Sequence, residues 1–155
     1  MVLLFVCTGN TCRSPMSEAL AKRAAAELGL MNIEIGSAGI SALNGCPASP
    51  GARRAMKARG LSLEAHRSQR LTLELAAKTD LILTMTAGQS RAVKHIAPGT
   101  NTLALYEYLG EAGDVADPWG GPDSIYEECA RELEPRILRA LERLAAPPES
   151  HKENE

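Results

Sequence analysis

Val2-Leu3-Leu4-Phe5-Val6-Cys7-Thr8-Gly9-Asn10-Thr11-Cys12-Arg13-Ser14-Pro15 stands near the start of the chain and carries the strand-loop-helix pattern of an α/β fold. Val2 to Val6 is a short, continuous apolar run, the pattern of a strand buried on both faces. A polar loop containing one glycine follows. Ser14-Pro15 then suits a helix start: serine fits the N-cap, and proline fits the first helical position, where its missing N–H is not needed.

The alternation continues along the chain. Met16, Leu20, Ala24 and Leu28 recur at helical spacing, and Gly29 is a fitting stop. Asn32 to Ser37, with Ile33 and Ile35 alternating, reads as a second strand. Ser49-Pro50 repeats the helix opening, with an end at Gly60, and Thr72 to Ala77 is a shorter helix. Leu81 to Thr84 reads as a third strand, Ala87 to Ile96 as a helix closed by Pro98, and Thr102 to Leu105 as a fourth strand. Ser124 to about Leu144 carries Ile125, Cys129, Leu133, Ile137 and Leu141 on one helical stripe. Pro135 should kink or break that helix, because its ring clashes with the preceding turn. The expected architecture is α/β: one domain, with a four-stranded parallel sheet flanked by helices. Residues 1–146 form the domain, and 147–155 are a polar, frayed tail. In such folds ligands sit at the carboxyl ends of the strands, so the loop after the first strand is the place to look for chemistry.

Composition narrows the function. The chain has 155 residues, enough for one self-sufficient core. Seventeen basic against nineteen acidic residues exclude a polybasic nucleic-acid surface. One Phe, one Trp and three Tyr leave little for stacking bases, and they imply a core of Leu, Ile, Val, Met and Ala. The N-terminal apolar run is too short for a signal peptide, and no stretch is long enough to span a bilayer. A cytoplasmic, monomeric protein is expected, with no membrane or nucleic-acid partner. Its four cysteines (Cys7, Cys12, Cys46, Cys129) then read as thiols rather than a disulfide framework. A zinc site is weakly supported, because Cys7 and Cys12 lack the usual spacing and no tight Cys/His pair stands elsewhere.

Five residues separate Cys7 from Arg13 across a strand-to-helix loop. A helix start presents free N–H groups and about half a positive charge, so it collects anions. Successive amides turned inward make a nest for phosphate oxygens, and the Arg13 guanidinium can clamp two of them. That positive potential falls on Cys7, where it favours a sulfur nucleophile. Ser14 can donate to the thiolate. The loop therefore reads as a nucleophile facing a bound phosphoryl group. The plainer alternative is a buried cysteine at a strand end beside a generic Ser-Pro helix start. A nucleotide-binding P-loop fails for want of Gly-Lys-Ser/Thr. A non-enzymatic phosphate-binding module would not need Cys7.

The chain resembles the low-molecular-weight protein-tyrosine phosphatase family from Val2 to about Leu144. Besides the loop, Ser37-Ala38-Gly39 and Asp117-Pro118 fall where that family has them. The resemblance implies a four-stranded parallel sheet, a phosphocysteine intermediate, no metal and no cofactor. It assigns Cys7 as nucleophile, Arg13 as phosphate clamp, Asn10 as loop shaper, Ser14 as thiolate partner and Asp117 as general acid. Thr8, Gly9, Thr11 and Cys12 complete the substrate loop. Phosphorylated proteins are the implied substrates, and inorganic phosphate the product.

A carboxylic acid should protonate the leaving group and later activate water. Asp114 and Asp117 are the candidates in one loop; Asp117-Pro118 is favoured, and Asp114 reads as a solvated loop acid. Tyrosine phosphatases of this family carry an aliphatic residue where Thr11 stands, and often a tyrosine pair after the Asp-Pro. Thr11 together with Asp117-Pro118-Trp119-Gly120-Gly121 is most like the bacterial protein-arginine phosphatase branch. The Thr11 hydroxyl can meet guanidinium N–H groups or orient water, Asp117 can pair with the guanidinium, and Trp119 can stack on it. A tyrosine phosphatase with a tolerated threonine is the alternative. Arsenate reductase shares the loop, but the stretch Leu81 to Ser90 lacks the further thiols that activity uses.

Cys12 has two readings. Mild peroxide can join it to Cys7, shielding the nucleophile from over-oxidation, or it is a small buried filler. Cys46 and Cys129 read as structural. His66, His95 and His151 have no partner that the sequence identifies.

Overall fold

In the computed structural model, which describes residues 1–147, the first apolar run lies inside the sheet. Strand β1 (Val2–Cys7) pairs in parallel with β2 (Glu34–Gly39) on one side and β3 (Leu81–Thr84) on the other. β4 (Thr102–Ala104) pairs with β3, giving the order β2-β1-β3-β4. The continuous hydrophobicity of β1 follows from covered faces on both sides. Leu3 and Phe5 enter a core shared with α1 (Arg13–Glu27), α2 (Pro50–Lys57) and α6 (Asp123–Ala145). Leu4 and Val6 enter a second core with Ile82, Val93 and Ala97, built on α3 (Leu73–Ala77) and α4 (Ala87–Ile96). The four-stranded parallel α/β architecture is thus the one the sequence implies. Among the described residues, no helix is long and apolar enough to cross a membrane.

Several boundaries differ from the sequence reading, each for a physical reason. Helix α1 starts at Arg13 with Cys12 at the cap position, so Ser14 is not the N-cap; its hydroxyl is spent on the Cys7 sulfur instead. Pro15 still falls within the first turn, where a missing N–H costs nothing. Ser49 does sit at the N-cap of α2, but its side chain does not cap and meets Cys12. β2 lies two residues later than the Ile33/Ile35 alternation suggests, because pairing places Gly39 opposite Cys7. β4 ends at Ala104, and Leu105 opens a short helix α5 (Leu105–Tyr108).

Pro135 does not break α6, which runs unbroken for 23 residues. Leu133 and Ile137 are fully buried on either side of it, so packing holds both halves where the lost N–H would otherwise end the helix. Ile125 is 40% exposed rather than on the buried stripe, and Tyr126 takes that place. From residue 148 onward the expected polar tail lies outside the described residues.

The Tyr126 ring fills the space above Gly51 on α2. A Cβ at Gly51 would lie 2.3 Å from the ring, so no side chain fits without displacing it. Gly51→Ala is therefore expected to cost about 1–3 kcal/mol of stability, read by urea unfolding. An unchanged midpoint would show that the ring moves aside freely.

Candidate functional site

The loop from Thr8 to Cys12 leaves the carboxyl end of β1 and enters the N-terminus of α1. Its shape depends on Asn10, the one non-glycine residue with positive φ (57°) among the described residues. Asparagine tolerates this left-handed region better than most residues. Asn10 is fully buried, and every polar group it carries is engaged. Its Nδ2 donates to Ser14 Oγ at 2.8 Å and to Ser37 Oγ at 3.0 Å, while Oδ1 accepts from the Gln69 N–H at 2.9 Å. Its carbonyl meets His66 Nε2 at 2.8 Å, and its own N–H points at Cys7 Sγ, 3.3 Å away.

Ser14 Oγ lies 2.9 Å from Cys7 Sγ. Because Ser14 Oγ accepts from Asn10, its one proton is free to be donated to the sulfur. The sulfur is thus faced by a hydroxyl and an amide. Ile40, Ser41 and Ser49 donate to the carbonyls of Cys7, Thr8 and Thr11 at 2.9–3.0 Å, so these carbonyls turn outward. That leaves inward-facing N–H groups, an anion-binding concavity. The loop closes on Gly39, where a Cβ would stand 2.6 Å from the Thr8 carbonyl oxygen and 2.9 Å from the Asn10 nitrogen.

Arg13 is buried. Its Nη1 donates to the Val115 carbonyl at 2.9 Å, and Nη2 lies 3.6 Å from Asp117 Oδ2. Asp117 is half exposed and accepts from the Trp119 N–H through Oδ1 at 3.1 Å, a turn that holds carboxylate and indole together. Cys7, Thr8, Gly9, Thr11, Cys12, Arg13, Asp117 and Trp119 line one cavity of about 230 Å³.

Eight of the ten residues that sequence reading nominated therefore share one pocket. Asn10 and Ser14 do not line it; they are fully buried behind it and act on the loop and on the sulfur. Asp114 is exposed, as a solvated loop acid should be, and its carboxylate also accepts from the Ala87 N–H at the start of α4. Cys12 Sγ lies 3.0 Å from Ser49 Oγ and 3.5 Å from the Tyr126 hydroxyl. Burial, helped by Cys12, pushes the Tyr126 hydroxyl up to about 12, and burial alone is the main reason that the Cys129 thiol rises to about 12. Cys129 is thus an inert core thiol, as its place on the helical stripe implies.

His66, Gln69 and Gln89 were missed. Their partners Asn10 and Thr8 stand 56 to 81 residues away in the chain, a distance across which no local pattern carries a signal. Among the described residues, no three His, Cys, Asp or Glu side chains converge as metal ligands.

A pocket of this kind can hold a tetrahedral anion with sulfur in front of it, a guanidinium beside it and a carboxyl at its rim. Fold and site together fit the class of thiol-dependent phosphatases. The family model of low molecular weight phosphotyrosine protein phosphatases matches residues 2–149. A protein-arginine-phosphatase of Bacillus subtilis (strain 168) is 42% identical over 144 residues, 91% of this chain and 94% of its own. The low molecular weight protein-tyrosine-phosphatase PtpB of Staphylococcus aureus is 37% identical over 140 residues, 90% of this chain and 96% of its own. Among solved structures, a YwlE arginine phosphatase mutant with a phosphorylated active-site serine superposes with a TM-score of 0.91 at 37% identity, covering 96% of this chain and 98% of that one. The chain belongs to the low molecular weight phosphotyrosine protein phosphatase family.

Asn10→Ala strands the hydroxyls of Ser14 and Ser37 in the interior and takes the acceptor from the Gln69 N–H. The expected cost is about 1–3 kcal/mol of stability, together with at least about a tenfold loss of inorganic phosphate affinity as the nest relaxes. Urea unfolding and calorimetry check the two halves, and a variant matching wild type in both would remove Asn10 as the brace of the loop.

Proposed function

We propose that this chain is a cysteine-dependent protein phosphatase that hydrolyses phosphoarginine in proteins. The observation that carries the reading is the shared pocket of Cys7, Arg13, Thr11, Asp117 and Trp119. Cys7 sulfur attacks phosphorus while the P–N bond breaks, and the electron pair stays on the departing guanidine nitrogen. Asp117 supplies the proton that nitrogen needs. Water then attacks the phosphocysteine; Asp117 takes its proton, inorganic phosphate leaves, and the Cys7 thiolate returns to the Ser14 hydroxyl and Asn10 amide. Arg13 and the inward amides hold the phosphoryl oxygens throughout.

The choice of arginine over tyrosine rests on the pocket wall. Thr11 offers a hydroxyl that can meet guanidinium N–H groups, and Trp119 offers one flat face at the rim. Relatives named protein-arginine-phosphatase support this choice, while tyrosine phosphatases of comparable identity keep phosphotyrosine as the second reading. The bacterial relatives and the four free thiols favour a bacterial, cytoplasmic setting, with residues 1–146 as the catalytic domain. The same pocket supports a redox role. Peroxide would oxidise the Cys7 thiolate to a sulfenic acid, and the Cys12 thiol would displace water from it to form a disulfide.

Phosphoarginine and phosphotyrosine peptides compared on wild type and Thr11→Ile test the substrate. Wild type should prefer phosphoarginine, and the exchange should lower its kcat/KM at least about tenfold while raising turnover of phosphotyrosine. Wild-type preference for phosphotyrosine, unchanged by the exchange, would overturn the reading. For the redox step, peptide mass spectrometry after mild peroxide should find Cys7 linked to Cys12 and reversible by thiol. Cys7 sulfinate with no linked peptide would sink it.

A further inference from the structure

Gln89 belongs to α4, yet its side chain is buried against the phosphate loop. Its Oε1 accepts from the N–H groups of Met85 and Thr86, both at 3.0 Å, closing the capping box with Thr86. Its Nε2 reaches back across the sheet and donates to Thr8 Oγ1 at 3.1 Å. Thr8 is exposed and lines the pocket. A threonine hydroxyl has one proton and two acceptor sites. With Gln89 occupying one acceptor site, the Thr8 proton is left to point elsewhere, and the pocket is the open side.

The same turn also braces the opposite wall. The Met85 carbonyl accepts from the Val115 N–H at 2.9 Å, and the Val115 carbonyl in turn receives Arg13 Nη1. Asp114 of the acid-bearing segment accepts from Ala87, two residues before Gln89. One turn of chain therefore fixes both Thr8 and the support of Arg13.

We propose that Gln89 is a positioning residue of the phosphate site: it orients the Thr8 hydroxyl as a further donor to the bound phosphoryl group. The inference rests on the reading of this loop as the phosphoryl site.

Gln89→Glu is the informative variant, because a carboxylate keeps the acceptor oxygens of the capping box, replaces the donor to Thr8 by an acceptor that draws the Thr8 proton away from the pocket, and adds one charge, for which the Thr8→Val background controls. Its thermal midpoint should stay within about two degrees of wild type, as the cap persists. The dissociation constant for inorganic phosphate, by calorimetry, and KM for a phosphoarginine peptide should both rise about tenfold, with kcat lowered less than about threefold. In a Thr8→Val background the same exchange should cost about twofold or less, since the donor it misorients is already gone.

Wild-type phosphate affinity in Gln89→Glu would overturn the proposal. So would a full tenfold loss persisting in the Thr8→Val background, which would assign the effect to the added charge. Losses in Gln89→Glu and Gln89→Met that merely follow a lowered thermal midpoint would reduce Gln89 to a cap and overturn it as well. A wild-type protein that binds phosphate but leaves the phosphoarginine peptide intact would refute the substrate reading alone, and the phosphate cycle would still decide the role of Gln89.

Discussion

Asn10 takes a left-handed φ in the middle of the loop, and the fold keeps it there by engaging each of its polar groups. Those bonds reach β2 through Ser37, the segment before α3 through His66 and Gln69, and α1 through Ser14. Local strain of roughly 1–2 kcal/mol is offset by a network that also orients the Ser14 proton toward the Cys7 sulfur. The conformation that turns amides inward and the polarisation of the sulfur therefore have a common cause.

Topology explains why this loop, rather than another, carries the candidate site. The chain crosses from β1 to β2 on one side, then returns past β1 to place β3 on the other. The carboxyl end of β1 is thus the point where strand order reverses, the natural crevice of an open parallel sheet. The N-terminus of α1 and the guanidinium of Arg13 meet there. A chain with a net charge of −2 can accordingly present a concentrated positive site, because the charge that matters is local and partly carried by backbone dipoles.

What the sequence made legible followed from periodicity and short-range punctuation. β1, β3 and α4 fall where apolar runs and turn residues place them, and Cys7, Arg13 and Thr11 share a pocket because a loop of only five residues joins β1 to α1 and keeps them together. The misreadings have the opposite origin. Ser14 and Ser49 have the look of caps, but tertiary partners claim both hydroxyls: Cys7 in one case and Cys12 in the other. Ile33 and Ile35 alternate like strand residues, yet register is a property of the pair, and β1 sets it. His66, Gln69 and Gln89 reach the site only through folding, so single-sequence patterns are silent about them.

The scarcity of aromatic rings gains meaning once each is located. Tyr106 lies beneath the Arg136 guanidinium, 4.5 Å from it, with its hydroxyl on Glu132. Tyr108 packs likewise under Arg143 at 4.4 Å. Tyr126 is wedged over Gly51 and touches Cys12 from below, while Phe5 is sealed in the sheet. All four are committed to packing. Trp119 alone, 74% exposed, lines the mouth of the cavity, and the Asp117 turn ties it to the carboxylate. Tyr106 and Tyr108 show that this protein already satisfies guanidinium groups by placing them on a single aromatic face. At the mouth, Trp119 offers the same single flat face, which suits a planar cation better than a phenol seeking apolar walls on two sides.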